Sequence, residues 1–191
     1  MAYTDSSKVL FGFSDLYIGL YTVSDAGVVT MGTPYHQKGA VGFSPTENAD
    51  REDFWADNIP YYSSYGTGVH EGDLVVAKFD DEAKEKFFGH VRLADGGLAQ
   101  VKGTQRPSVY MMFEVQGDDG PVRVIYYNGS FGAITREFNT TEGVNTPVTE
   151  SAPITFVGDN ETGITKVTYN ESDAGFEDLF SNPPAPTLPS A

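Results

Sequence analysis

Apolar and polar residues alternate with a period of two along most of this chain, the spacing that buries one face of a β-strand and leaves the other wet. In residues 108–116, Val109, Met111, Phe113 and Val115 fall on one side, and Tyr110, Met112 and Glu114 on the other. Gly117-Asp118-Asp119-Gly120 then reads as a hairpin connection into residues 122–127. Residues 8–13 and 15–23 are strand-like. In the second, Leu16, Ile18 and Leu20 share one face, and Tyr17, Gly19 and Tyr21 the other. Ser24-Asp25-Ala26-Gly27 is a turn signal before a returning strand at 28–31, which Thr33-Pro34 ends. Residues 39–48 are extended, with Val41, Phe43 and Glu47 opposed to a small, uncharged face of Ala40, Gly42, Ser44 and Thr46. Residues 68–79 send Leu74 and Val76 one way and Glu71 and Asp73 the other, the mark of a half-buried strand. Residues 90–93 and 131–141 are further extended segments. Residues 152–157 and 164–169 are expected to form a last hairpin around Gly158-Asp159-Asn160-Glu161.

One stretch breaks the period of two. Residues 80–88 open with Asp80 and Asp81, which suit a helix N-terminus, and stop at Gly89. Glu82 and Lys86 form an i,i+4 pair, while Ala83 and Phe87 form the stripe expected to pack on a sheet. The predicted fold class is therefore all-β with one short flanking helix, arranged as a two-sheet β-sandwich or flattened barrel. A single domain is expected over residues 1–181. Residues 182–191 hold four prolines and are expected to be a flexible tail. Residues 173–180 read as a short helix or coil.

Residues 48–65 fit neither period. They hold the only Trp of the chain, five aromatic residues and a run of acids around one Arg. Asn58, Pro60 and the acids argue against a continuous central strand, so the segment reads as a long excursion between two strands. Its aromatics either cap the domain's own core or dock on another copy of the chain. For the second role the candidates are Asp50, Arg51, Glu52, Asp53, Phe54, Trp55, Tyr61 and Tyr62.

Composition narrows the function classes. The 13 Phe, 11 Tyr and 21 Gly residues suit a β domain rich in turns. A net charge of −15 argues against attachment to nucleic acid through phosphates. No apolar run approaches the roughly 18 residues that span a bilayer. The N-terminus lacks the basic and apolar regions of a signal peptide. With no cysteine present, a cytoplasmic origin is expected. His36, His70 and His90 have no metal-ligand spacing, and alternation sends His70 and Glu71 to opposite faces. No nucleophile elbow, phosphate loop or dinucleotide fingerprint occurs. The expectation is thus no catalytic residue, metal or cofactor, and no enzyme.

The order of segments GFSDLYIGLY, GAVGFSPTENA, FWADNIPYY, EGDLVVAKF, DDEAKEKFFG and YMMFEVQGDDGPVRVIYYNGSFG resembles the major tail proteins of long, non-contractile-tailed phages of Gram-positive bacteria. The resemblance spans roughly residues 8–170; FWADNIPYY followed by GDLVVAKF and the helix is its most specific part. It implies a self-assembling structural protein of the virion, made in the host cytoplasm. Its six-subunit rings stack into a tail tube, and a long loop or hairpin reaches the adjacent ring. It also implies tape-measure and tail-end proteins as partners, and a lumen through which DNA passes without tight binding. In that setting Glu71 and Asp73 are the candidates for the lumen wall. The alternative reading is a monomeric binding β-sandwich, such as a carbohydrate-binding or capsid-decorating module.

Overall fold

The computed structural model describes residues 9–48, 51–56, 59–65, 68–138, 140 and 147–189. In chain order the strands before the helix are β1 (Leu10–Val23), β2 (Val29–Met31), β3 (Tyr35–His36), β4 (Ala40–Asn48), β5 (Arg51–Ala56), β6 (Ile59–Tyr65) and β7 (Val69–Val76). The helix α1 (Asp81–Phe88) follows. After it come β8 (Val91–Arg92), β9 (Leu98–Ala99), β10 (Val109–Gly117), β11 (Gly120–Phe131), β12 (Thr135–Arg136), β13 (Glu150–Phe156) and β14 (Lys166–Asn170). The fold is all-β with one short helix, as the alternation requires.

The main sheet runs β2-β1-β10-β11-β13-β7-β4, with β3 also on β1, β14 on β11 and β12 on β13. All of its pairings are antiparallel. β4 returns beside β1, so the sheet curls round its core as a flattened barrel. The period of two sorts side chains between two cores. Leu16 and Ile18 of β1, Val109, Met111 and Phe113 of β10, and Leu74 and Val76 of β7 fill the inner core. Tyr21, Tyr110, Met112, Ile125 and Tyr127 point the other way, where Leu179 and Phe180 cover them. Gly19 faces Tyr110 across the β1–β10 ladder, and a Cβ there would stand 2.2 Å from the tyrosine ring. Only glycine lets that ring lie across the strand and its hydroxyl donate to the Gly32 carbonyl at 2.5 Å.

Helix α1 buries Ala83, Phe87 and Phe88. Phe88 packs against Phe79 and Phe131, with ring centroids 4.9 and 4.7 Å away. Gly89, at φ 70°, closes the helix in the left-handed conformation. Lys86 reaches Glu82 at 2.6 Å. Asp80 stands at the N-cap, but its carboxylate accepts from the Tyr35 hydroxyl at 3.1 Å and makes no side-chain bond to the helix.

Five expectations need correction. The segments 150–156 and 166–170 do not pair as a hairpin. Both join β11, β14 along Val122–Tyr126 and β13 along Gly129–Phe131. The division falls at Asn128, whose φ of 51° kinks β11 while its amide donates to the Gly158 carbonyl. The extended segment 131–141 breaks up: Phe131 ends β11, only Thr135–Arg136 pairs, and Phe138 is 84% exposed beneath the Arg136 guanidinium. The expected strand at 90–93 shrinks to Val91–Arg92, paired with β9 alone. Val41 does not share the Phe43 face; it is the extra residue of a bulge between Ala40 and Gly42, and it projects to solvent. Finally, the proline-rich tail is held. Pro183 and Pro186 are buried, and the Tyr127 hydroxyl donates to the Pro184 carbonyl at 3.1 Å.

Candidate functional site

The excursion at 48–65 is a β-hairpin. β4 and β7 pair with each other up to Asn48 opposite Val69, and β5 and β6 lie between them in sequence, paired only with one another. The hairpin therefore leaves the barrel at the Asn48–Val69 end of that ladder. Strands of six or seven residues give it a length of about 20 Å. The register runs from Arg51 opposite Tyr65 to Ala56 opposite Ile59, with a shift between Phe54 and Trp55. That shift sets Pro60 against Trp55 and leaves Tyr61 without a cross-strand partner, which is how a proline fits within the hairpin. Of the candidate arm residues, Arg51, Glu52, Asp53, Phe54 and Trp55 lie on β5, and Tyr61 and Tyr62 on β6; Asp50 lies outside the described residues. Tyr61 is 74% exposed and Ile59 57%.

On β7, Glu71 and Asp73 are exposed while Leu74 and Val76 are wholly buried on the other face. The register sets Asp73 beside Ser44 of β4 and Pro153 of β13, and Glu71 beside Thr46 and Thr155. The Asn48 amide donates to Glu71 at 2.8 Å. This outer face thus joins the small, uncharged side of β4 to two carboxylates.

Three polar residues that the alternation did not single out hold the frame of these surfaces. Glu150, almost fully buried, opens β13 opposite Val76. Its carboxylate accepts from the Phe79 backbone N–H at 2.8 Å and meets Lys84 at 3.2 Å and Arg136 at 3.4 Å. It ties the helix to the end of the ladder opposite the arm. Arg123 donates to Glu114 at 2.9 Å and to the Phe176 carbonyl at 2.6 Å, and stacks over the rings of Phe176 and Phe180. That clamp lays the C-terminal segment on the second core.

Asp159, also buried, accepts from the Tyr21 hydroxyl at 2.6 Å and from the Glu161 and Thr162 backbone N–H groups. Burial acts to raise its pKa, but the bonds from Tyr21, Thr162 and Glu161 outweigh it and hold the carboxyl below its ordinary value. A lowered folded-state pKa contributes stability that is full above the unfolded pKa, near 4, and fades as pH falls through the folded one. Asp159→Asn is therefore expected to be less stable than wild type at pH 7, with the gap closing below about pH 4. Denaturation midpoints of both proteins across pH 2.5–7 measure this; a gap independent of pH would show that the carboxylate charge contributes nothing.

Among the described residues no three His, Asp or Glu side chains gather as metal ligands, and no helix is long and apolar enough to cross a membrane.

No protein-family model and no curated protein matches the chain. Solved structures do. The anti-feeding prophage cap, which terminates that particle's tube, superposes with a TM-score of 0.50 at 12% identity, over 89% of this chain and 99% of that one. The sheath–tube complex of an extracellular contractile injection system in its extended state gives 0.48 at 8% identity, over 89% and 99%. At such identities the likeness is one of fold. Over 89% of its length the chain is similar in fold to that cap.

Proposed function

We propose that this chain is a structural protein of a tail-type tube, with no enzymatic activity, that self-associates as stacked rings of six. The observation that carries the proposal is the β5–β6 hairpin, a projecting ladder with an exposed Tyr61 that no strand of the main sheet pairs. Fold likeness to a tube-terminating cap and the sequence resemblance to tail proteins of long, non-contractile tails support it from separate directions. The lumen wall in this reading is the stretch β13-β7-β4 with the Gly129–Phe131 end of β11 beside it, four adjacent strands whose outer face carries Glu71 and Asp73. Six subunits with four strands each, about 4.8 Å apart, close a wall of roughly 115 Å circumference and 37 Å backbone diameter, wider once the strands tilt. That space admits duplex DNA. Tape-measure and tail-end proteins are the further partners, and the virion is the location.

Negative-stain electron microscopy of concentrated purified protein should show rings or tubes. Deleting residues 50–57 is expected to leave the β-sheet circular dichroism intact and to abolish tubes. Loss of the β-sheet signal in the deletion would place the segment in the domain's own core and remove the arm from the reading.

A further inference from the structure

Residues 182–191 carry four prolines, and no part of the proposed tube uses them. Pro183 and Pro186 are buried, while Pro184 between them is exposed and Ala185 half-buried. Burial at positions three apart is the period of a polyproline II segment, which turns once every three residues. Residues 183–189 join no strand or helix. A side chain of the barrel fixes their place: the Tyr127 hydroxyl donates to the Pro184 carbonyl at 3.1 Å.

Tyr127 stands beside Asn128, where β11 kinks and its pairing passes from β14 to β13. It is 1% exposed and belongs to the second core with Tyr21, Tyr110, Met112 and Ile125. The three tyrosine hydroxyls of that core are used differently. Tyr21 donates to Asp159 and Tyr110 to the Gly32 carbonyl, both acceptors outside the tail. A phenol has one proton to give, and Tyr127 gives it to the tail. Burial, and after it Tyr169, pushes the Tyr127 pKa well above the ordinary tyrosine value, so the proton stays on. With the tail lifted off, this hydroxyl would be a buried donor aimed at the space the prolines had filled. Prolines also suit such a seat, because their fixed φ leaves little conformational freedom to lose.

Two buried prolines three residues apart, with a tyrosine of an aromatic cluster donating to the carbonyl between them, are the elements by which aromatic grooves recognise proline-rich segments. We infer that the surface at Tyr127 is a recognition site for polyproline II segments with prolines at positions i and i+3, and that the tail occupies it in cis as a built-in competitor. The occupant in trans is a proline-rich segment of another chain. This site stands whether or not the chain builds a tube. The tail can yield its place, since residues 183–189 are in no backbone ladder and 187–189 are exposed. Opening such a segment costs far less than unfolding the barrel. A tethered ligand competes at a roughly millimolar effective concentration, so binding in trans stays weak until the tail is loosened.

The probe is a synthetic peptide of residues 181–189, SNPPAPTLP, carrying fluorescein and followed by anisotropy. Full-length protein with Pro183→Ser and Pro186→Ser should bind it at least tenfold more tightly than wild type, whose own tail blocks the site. The same peptide with those two prolines replaced by serine should bind neither protein. Adding Tyr127→Phe, which keeps the ring, should weaken binding by about two- to tenfold, the contribution of one neutral hydrogen bond. No binding by the double variant, equal binding of the serine peptide, or no change with Tyr127→Phe would each overturn the inference. Should the double variant lose its β-sheet circular dichroism, a second variant carries the test. The chain has no cysteine, so Thr187→Cys, at an exposed position, takes a single fluorophore on an otherwise native tail. Excess unlabelled peptide should free that tail and lower the anisotropy of its label, and the serine peptide should not. A label that responds to both peptides or to neither would remove the site.

Discussion

Glu150→Ala is expected to cost about 3–5 kcal/mol of folding stability, the range for removing one partner of a buried ion pair. The cost arises from what is left behind. Lys84 is only 12% exposed, so its ammonium would lose its counter-charge where water reaches it poorly. The Phe79 N–H, bonded to Glu150 at 2.8 Å, would lose its acceptor as well. Both sit at the junction of β7, α1 and β13, so the loss should free the helix from the barrel. Glu150→Gln retains an acceptor for Phe79 and should fall between the two. Replacing the pair together, Glu150→Leu with Lys84→Met, should recover much of the loss, since an apolar pair avoids the desolvation of both charges. Urea denaturation at pH 7 supplies the comparison. A Glu150→Ala loss under about 1 kcal/mol would mean that water screens the cluster as it does surface pairs.

Glu150 also marks where sequence reasoning stops. It lies at the end of a polar loop signal, and nothing in its neighbourhood separates it from twenty-six other acids; only the register of β13 on β7 brings it under Lys84. Strands with strict alternation were legible, because burial on both faces of β1 and β10 repeats every two residues. So was the helix, whose period, acidic first turn and terminal glycine agree. Pairing was less so. Gly158-Asp159-Asn160-Glu161 has the composition of a hairpin turn, yet Asn128 kinks β11 and gives each flanking strand a separate stretch of it. A kink at Asn has no periodic signature. The tail was misjudged for a related reason. Proline content argues against regular structure but not against packing: Pro183 and Pro186 are buried, and the Tyr127 hydroxyl holds the Pro184 carbonyl without a backbone ladder. Of the candidate site, the arm was legible as an interruption of the pattern, while its hairpin register was not, since Pro60 argues against a strand and only the shift between Phe54 and Trp55 accommodates it.

Replacing Glu71 and Asp73 together with Lys is expected to leave rings and tubes intact and to block or slow passage of DNA. Fold should survive because both side chains are exposed and their burial partners lie elsewhere; surface charge changes usually shift stability by about 0.5 kcal/mol or less. Glu71 does lose the bond from Asn48, a local cost at the root of the arm. The effect on DNA is larger because a ring repeats each position six times in the proposed assembly. In the proposed lumen the wild-type carboxylates, set among Ser44, Thr46, Pro153 and Thr155, would offer phosphates no donor and would hold them off by like charge. Lysines there would bind phosphates and release their counterions, and that binding weakens steeply with salt. Particles assembled with the variant should therefore release DNA slowly at low ionic strength and recover toward wild type at high ionic strength. The same comparison made away from this face, with the lysines placed at the exposed Asp118 and Asp119 of the β10–β11 turn, should leave release unchanged. Equal release by wild type and the Glu71→Lys, Asp73→Lys variant at both salt concentrations would take this face of β7 out of the lumen.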